Sequence, residues 1–388
     1  MTPFAHWQQG LAATLTRQAS LGLLRQRKLA HIDSTHAEPP LAEVDFSSND
    51  YLGLARDSDI AAALAKGVAV FGHGSTASPL ISGYSQAHLE LEQRLCMTAG
   101  QDAALLFCSG FSANVSLFKT LFTARDVIVA DKLMHASALD GIADSGAKLV
   151  RFTHNDVASA KTQLQRLAEK GTPATALVTE SVFSMDGDEA PLAELKQLAT
   201  QYGCGLIVDD AHGFGWRPLA VVPDIHLITF GKALGGQGAA ILSQNTVIDY
   251  LVSHSRAYIY STALSPASCM AVSVAVTKAK ESSLVAKLRA NIAYFQEKTK
   301  ELGIAIMVSN SPIQGVLTYD IQATMALAAA LGTQGLKVGA IRPPTVPKGL
   351  CRLRITLSAA HQHTDIDRLL TSLSHLLAQE ANHLNAVS

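Results

Sequence analysis

The chain has 388 residues, 48% of them hydrophobic and 16% charged, with a formal net charge of -1. That suffices for one large core with smaller flanking pieces, and with no long run of Lys or Arg there is no footprint for nucleic acid or an anionic membrane. Five scattered cysteines (Cys96, Cys108, Cys204, Cys269, Cys351) form no CxxC pair, which argues against a zinc site or disulfide framework and for a reducing, cytoplasmic setting.

From Phe4 to about Leu29 the spacing is helical, with Leu11, Leu15, Leu21 and Leu24 on one broad face. The segment has neither a signal-peptide core nor a membrane-length apolar run. A polar, Pro-containing stretch over Asp33–Pro40 breaks it, so residues 1–45 read as a helical arm that packs on something else.

From about Gln101 strands and helices alternate. Short apolar strands are predicted at Ala103–Cys108, Asp126–Ala130, Lys148–Phe152, Ala174–Thr179, Gly205–Val208 and His226–Phe230, with helices at Ser112–Phe122, Val157–Glu169 and Leu192–Tyr202. That alternation predicts an α/β architecture over residues 46–285, a mostly parallel sheet covered by helices on both faces, with ligands at the carboxyl ends of its strands. A helical region then runs from about Ala267 through Lys298. Strands at Gln314–Tyr319 and Arg352–Ser358 and helices at Ala323–Leu331 and Asp365–Gln379 make residues 286–388 a smaller α+β domain.

Residues suited to chemistry fall at the ends of these strands. Cys108–Asn114, with Gly110 and Phe111, runs from a strand into a helix, where backbone N–H groups and the helix dipole suit a phosphate. His135 follows the second strand and could stack on a flat ring, and Ser184 follows the fourth. Gly205–Gly213 is an apolar strand ending in Asp209, Asp210 and His212; an acid there could keep a pyridine nitrogen protonated, with His212 and Ser184 meeting a phenolic oxygen. Thr229-Phe-Gly-Lys232-Ala-Leu-Gly-Gly236 places Lys232 among glycines just past the next strand, where lost solvation makes an amine more nucleophilic, and Thr229 could donate to the phosphate. Ser261 and Thr262 offer further hydroxyl donors. A lysine for an aldehyde, an acid for a ring nitrogen, phosphate donors and a group against the ring face are the four requirements of pyridoxal 5'-phosphate.

Other chemistries score low. His31, His36, His361 and His363 occur as spaced pairs without the carboxylate pattern of a metal site, so no metal is expected. The Gly-rich stretches match no dinucleotide fingerprint, and neither GxxxxGK[ST] nor GxSxG is present.

Asp209-Asp-Ala-His212, Thr229-Phe-Gly-Lys232, Ser47-Ser-Asn49-Asp50-Tyr51-Leu-Gly53 and Leu353-Arg354-Ile-Thr-Leu-Ser-Ala-Ala-His361 resemble the α-oxoamine synthases, fold-type I enzymes built like aspartate aminotransferase. The resemblance runs from about Arg25 to the C-terminal helix. It implies a homodimer and a decarboxylative condensation of an amino acid with an acyl thioester, with Lys232, His135, Asp209 and His212 as catalytic residues. Ile341-Arg342-Pro-Pro-Thr345-Val-Pro347 and Gly74–Ser85, with Pro79, are similar to the branch that joins L-alanine to a pimeloyl thioester in biotin biosynthesis. The acyl carrier, coenzyme A or acyl carrier protein, stays open. The forked guanidinium of Arg354 would hold the alanine carboxylate, assisted by Asn49. The resemblance places Arg25, Arg342 and Thr345 on the thioester side, and Ser261 and Thr262 across a subunit interface. Rival readings are a glycine-using relative, a simple aminotransferase and a non-catalytic fold relative. One departure stands out: His212–Pro218 is bulkier than the family usually has, and the stretch to Ile225 is short.

Overall fold

The computed structural model describes residues 2–25, 27 and 43–387, side chains of 380–387 excepted. His31, His36, Leu29 and the Asp33–Pro40 break lie outside the described residues. Helix α1 (Pro3–Ser20) starts under a Thr2 cap and buries none of its residues, leaving Phe4, Trp7, Leu11 and Leu15 exposed. It is shorter than its periodicity predicts; Gly22, at φ +67°, turns the chain out of the helix.

After β1 (Val44–Asp45) come two helices that the sequence reading missed, α2 (Ser58–Phe71) and α3 (Gln86–Ala99). The alternation follows: β2 (Ala103–Phe107), α4 (Gly110–Leu121), β3 (Val127–Asp131), α5 (Ala136–Ser145), β4 (Lys148–Phe152), α6 (Val157–Glu169), β5 (Ala176–Glu180), α7 (Leu192–Tyr202), β6 (Gly205–Asp209), β7 (Ile225–Thr229) and β8 (Ala239–Ser243). Each predicted strand is present within two residues of its expected ends. They form one seven-stranded sheet in the order β2-β8-β7-β6-β5-β3-β4, in which β8 runs antiparallel to both its neighbours. β3 and β5 are buried along their whole length, as strands covered on both faces must be. Ile128, Leu117, Phe118 and Ile142 pack in a core on one face, and Leu177, Leu206, Leu164 and Leu195 in a core on the other.

The predicted long helical region is two helices. After α8 (Asn245–His254) and a single turn, α9 (Arg256–Ile259), α10 (Pro266–Lys278) ends at Ala279, and α11 (Ser282–Glu301) starts afresh. The rest is β9 (Ile313–Tyr319), α12 (Ile321–Thr333), β10 (Leu336–Lys337), β11 (Gly339–Ile341), β12 (Cys351–Thr356) and α13 (His363–Val387). β11, β12 and β9 form an antiparallel sheet, while β10 pairs in parallel with β1. Among the described residues no helix is long and apolar enough to cross a membrane.

β12 ties this second sheet to the loop after β5. Arg352 pairs with Asp186, and Arg354 Nε donates to the Ser184 carbonyl at 2.7 Å. The second sheet therefore closes over the strand ends of the first.

Candidate active site

β5, β6 and β7 are parallel, and their carboxyl ends deliver Glu180, Asp209 and Thr229 to one edge of the sheet. There they border a cavity of about 380 Å³ together with Gly110, Phe111, His135, His212 and Lys232. The volume lies within the usual range for a small-molecule site.

Asp209 is 6% exposed and held from two sides. Asn114 Nδ2 donates to its Oδ2 at 2.7 Å, and the Ala211 N–H to its Oδ1 at 3.0 Å. Lys232 follows β7 in a tight turn closed by Gly235 N–H to the Lys232 carbonyl (2.9 Å) and Gly236 N–H to the Phe230 carbonyl (2.8 Å). The turn needs glycine at 235: φ is +62°, and a Cβ would lie 2.3 Å from the Ala55 nitrogen. Burial lowers the Lys232 pKa to about 8, although Asp209 and Glu180 pull it the other way. A useful fraction of this amine is therefore neutral near neutral pH.

The N-terminus of α4 borders the same cavity through Ser109, Gly110 and Phe111, and Ser109 caps it, its Oγ accepting the Ser112 N–H at 3.1 Å. Gly110 lies against Thr229; a Cβ there would come 2.5 Å from Thr229 Cγ2. Thr229 Oγ1 donates to the Ala211 carbonyl at 3.4 Å. His135 caps α5: its Nδ1 accepts the Ser137 N–H at 3.2 Å and lies 2.7 Å from the Ser137 hydroxyl. Burial lowers its pKa, with Asp209 opposing.

His212 is 6% exposed, and burial, with Lys232 and Arg354 nearby, holds its pKa well below the usual imidazole range. Its Nδ1 lies 2.5 Å from the hydroxyl of Tyr51, which is fully buried and whose own pKa burial raises to about 12. The Tyr51 hydroxyl also donates to Asn49 Oδ1 at 3.3 Å, which receives Arg354 Nη2 at 3.0 Å as well.

Arg354 is 7% exposed and also donates from Nη1 to Thr356 Oγ1 at 2.9 Å. It lies against the Tyr51 hydroxyl as well, so its planar fork is held from several sides. Asn49 and Ser184 meet at this guanidinium rather than on the cavity lining. Ser261 and Thr262 are exposed and do not line the cavity of their own chain. Arg25, Arg342 and Thr345 do come together, but around the arm: Arg25 Nη2 donates to Thr345 Oγ1 (3.2 Å), and Arg342 to the carbonyls of Gly22 (2.8 Å) and Leu24 (3.1 Å).

Three residues of the site went unread in the sequence. Asn114 lies inside the stretch taken as a phosphate seat, yet its side chain serves Asp209. Tyr51 stands in a quoted motif without a role. Glu180 sits directly beside Asp209 in the strand register, 4% exposed, and burial and the Asp209 charge raise its pKa well above the carboxylate range. An apolar strand ending in Glu next to one ending in Asp was the signal available.

This donor set fits pyridoxal phosphate. A neutral-capable lysine and a carboxylate fixed by two N–H donors share one cavity with a glycine-cradled helix N-terminus. Elsewhere, His154, Asp186 and Asp188 bring ligand-type atoms within 4.8 Å of one another, but their charges are answered by Arg352 and by His154 itself.

A family model described as aminotransferase class I and II matches residues 42–373. An 8-amino-7-oxononanoate synthase from Yersinia enterocolitica is 46% identical over 341 residues, covering 85% of this chain and 88% of that protein. Among solved structures, a serine palmitoyltransferase from S. paucimobilis carrying bound pyridoxal phosphate and myriocin aligns with a TM-score of 0.85 at 26% identity, over 97% of this chain and 98% of that one. An 8-amino-7-oxononanoate synthase from Francisella tularensis aligns with a TM-score of 0.73 at 29% identity, over 87% and 99%.

Proposed function

Because the chain belongs to the class I and II aminotransferase family, among its 8-amino-7-oxononanoate synthases and thus its pyridoxal-phosphate acyltransferases, we propose that it condenses L-alanine with a pimeloyl thioester. The products are 8-amino-7-oxononanoate, CO2 and free thiol, in biotin biosynthesis. The observation that carries this reading is the cavity in which Lys232, its pKa lowered to about 8, faces Asp209 across adjacent strand ends.

Bound there, pyridoxal phosphate supplies a sink for the electron pair left on the alanine Cα when its proton departs. Lys232 would hold the cofactor aldehyde, and as a free amine it would take the alanine Cα proton and later return one to the same carbon. Asp209, fixed by Asn114 and the Ala211 N–H, would keep a proton on the ring nitrogen. His212, held by Tyr51, would offer a ring N–H to the phenolic oxygen, and Ser184, off the lining, would act there only by turning its hydroxyl inward. His135 would cover the ring, and Gly110, Phe111 and Thr229 would seat the phosphate, joined in a homodimer by Ser261 and Thr262 of the other subunit. The planar guanidinium of Arg354 would take the alanine carboxylate, next to Asn49. Arg25, Arg342 and Thr345 hold the arm on the side where the thioester enters. The working form is a cytoplasmic homodimer.

Carboxyl-labelled L-alanine tests this reading. Labelled CO2 should appear only when pimeloyl-CoA or pimeloyl-acyl carrier protein is added, and glycine should replace alanine poorly. Release without a thioester, or with glycine preferred, would move the assignment to a relative.

A further inference from the structure

A second cavity, about 500 Å³, lies on the other side of the segment joining β6 to β7 and shares no lining residue with the first. Its walls are apolar: Phe214 and Trp216 from that segment, Val276 from α10 and Val285 from α11. Its mouth is cationic. Lys280 and Arg289 border it, and neither makes an ion pair among the described residues; Arg217 is there too, paired with Glu189. The carboxylate on the lining, Asp210, is 1% exposed and committed to His226 Nε2 (2.9 Å) and to Ser181. Glu281 lies in the same turn as Lys280 but is exposed and off the lining.

One further feature points to an anionic occupant. The 20-residue helix α11 begins at the cavity with Ser282 on the lining. Its N-cap residue, Glu281, makes no side-chain cap; the Leu284 N–H bonds the Glu281 carbonyl at 3.2 Å, which leaves the N–H groups of Ser282 and Ser283 at the positive end of the helix.

We propose that this cavity is a second ligand site, for a small anion with an apolar body such as a medium-chain or aromatic carboxylate. The body lies against Phe214, Trp216 and Val276; the head group meets the start of α11, Lys280 and Arg289. An occupant would touch Trp216, whose Nε1 donates to the His212 carbonyl at 2.6 Å, and so would sit one side chain away from the cofactor cavity.

The chain has two tryptophans, and Trp7 is on the exposed arm, so a Trp7→Phe variant makes Trp216 the sole reporter of the cavity. The cofactor-loaded Trp7→Phe enzyme is titrated with octanoate and, separately, with 1-octanol, following tryptophan emission. A saturable change with octanoate, at least tenfold weaker with octanol, is expected. Adding Lys280→Glu and Arg289→Glu, both exposed positions, should weaken octanoate at least tenfold without altering the bound-cofactor absorbance. No saturable change, octanol matching octanoate, or an octanoate response that survives the charge reversal would each overturn the proposal.

Discussion

Arg354 and His154 show how single side chains are set by their partners. Arg354 reaches its position through Ser184, Thr356 and Asn49, and a lysine could not reproduce both that anchoring and a two-pronged hold on a carboxylate. Arg354→Lys should raise the KM for alanine by roughly 10- to 100-fold, about 1.4–3 kcal/mol of lost binding, with a smaller effect on kcat; steady-state kinetics would show it. Burial opposes a charge on His154, but hydrogen bonds to Asp131 (2.9 Å) and Asp188 (2.6 Å) outweigh it and raise its pKa to about 9. A folded-state pKa raised above the unfolded 6.5 gives stability that is complete below that value and lost as pH rises through about 9. His154→Gln should therefore cost about 2–3 kcal/mol near neutral pH, and the gap to the parent in urea melts should close in alkali.

Among the elements, the approach of α4 to β7 depends on a missing side chain. Gly110→Ala would drive a methyl into Thr229 at the point where the phosphate is proposed to sit. A loss of about 1–3 kcal/mol in stability and a clearly weaker hold on the cofactor are expected, read by thermal melts and by cofactor titration of the stripped protein. The same elements show why the sequence was legible where it was. β6 and β7 are apolar runs that stop at a carboxylate and at a Gly-flanked lysine, so period, length and punctuation agree there. β8 was missed because its five residues follow a Gly-rich turn that reads as loop, and only pairing with β2 and β7 makes them a strand. α2 escaped because Gly67 interrupts its pattern; that glycine is required by packing, since a Cβ would lie 2.5 Å from the Ala267 backbone on α10. Roles that depend on contacts far apart in sequence, Asn114 to Asp209 and Tyr51 to His212, had no local signal.

At the scale of the whole molecule, the second sheet and the first form one site through β12, whose two arginines reach the loop after β5. The exposed apolar face of α1 is what a second subunit would cover. Size-exclusion chromatography with light scattering should return twice the chain mass, and deleting residues 2–20 should weaken that dimer measurably. The most direct test concerns Lys232 itself. The cofactor-loaded protein is reduced with borohydride, digested and mapped by mass spectrometry. The pyridoxyl phosphate should be found on Lys232 and be absent from a Lys232→Ala variant. Label on another lysine, or none at all, would contradict the account.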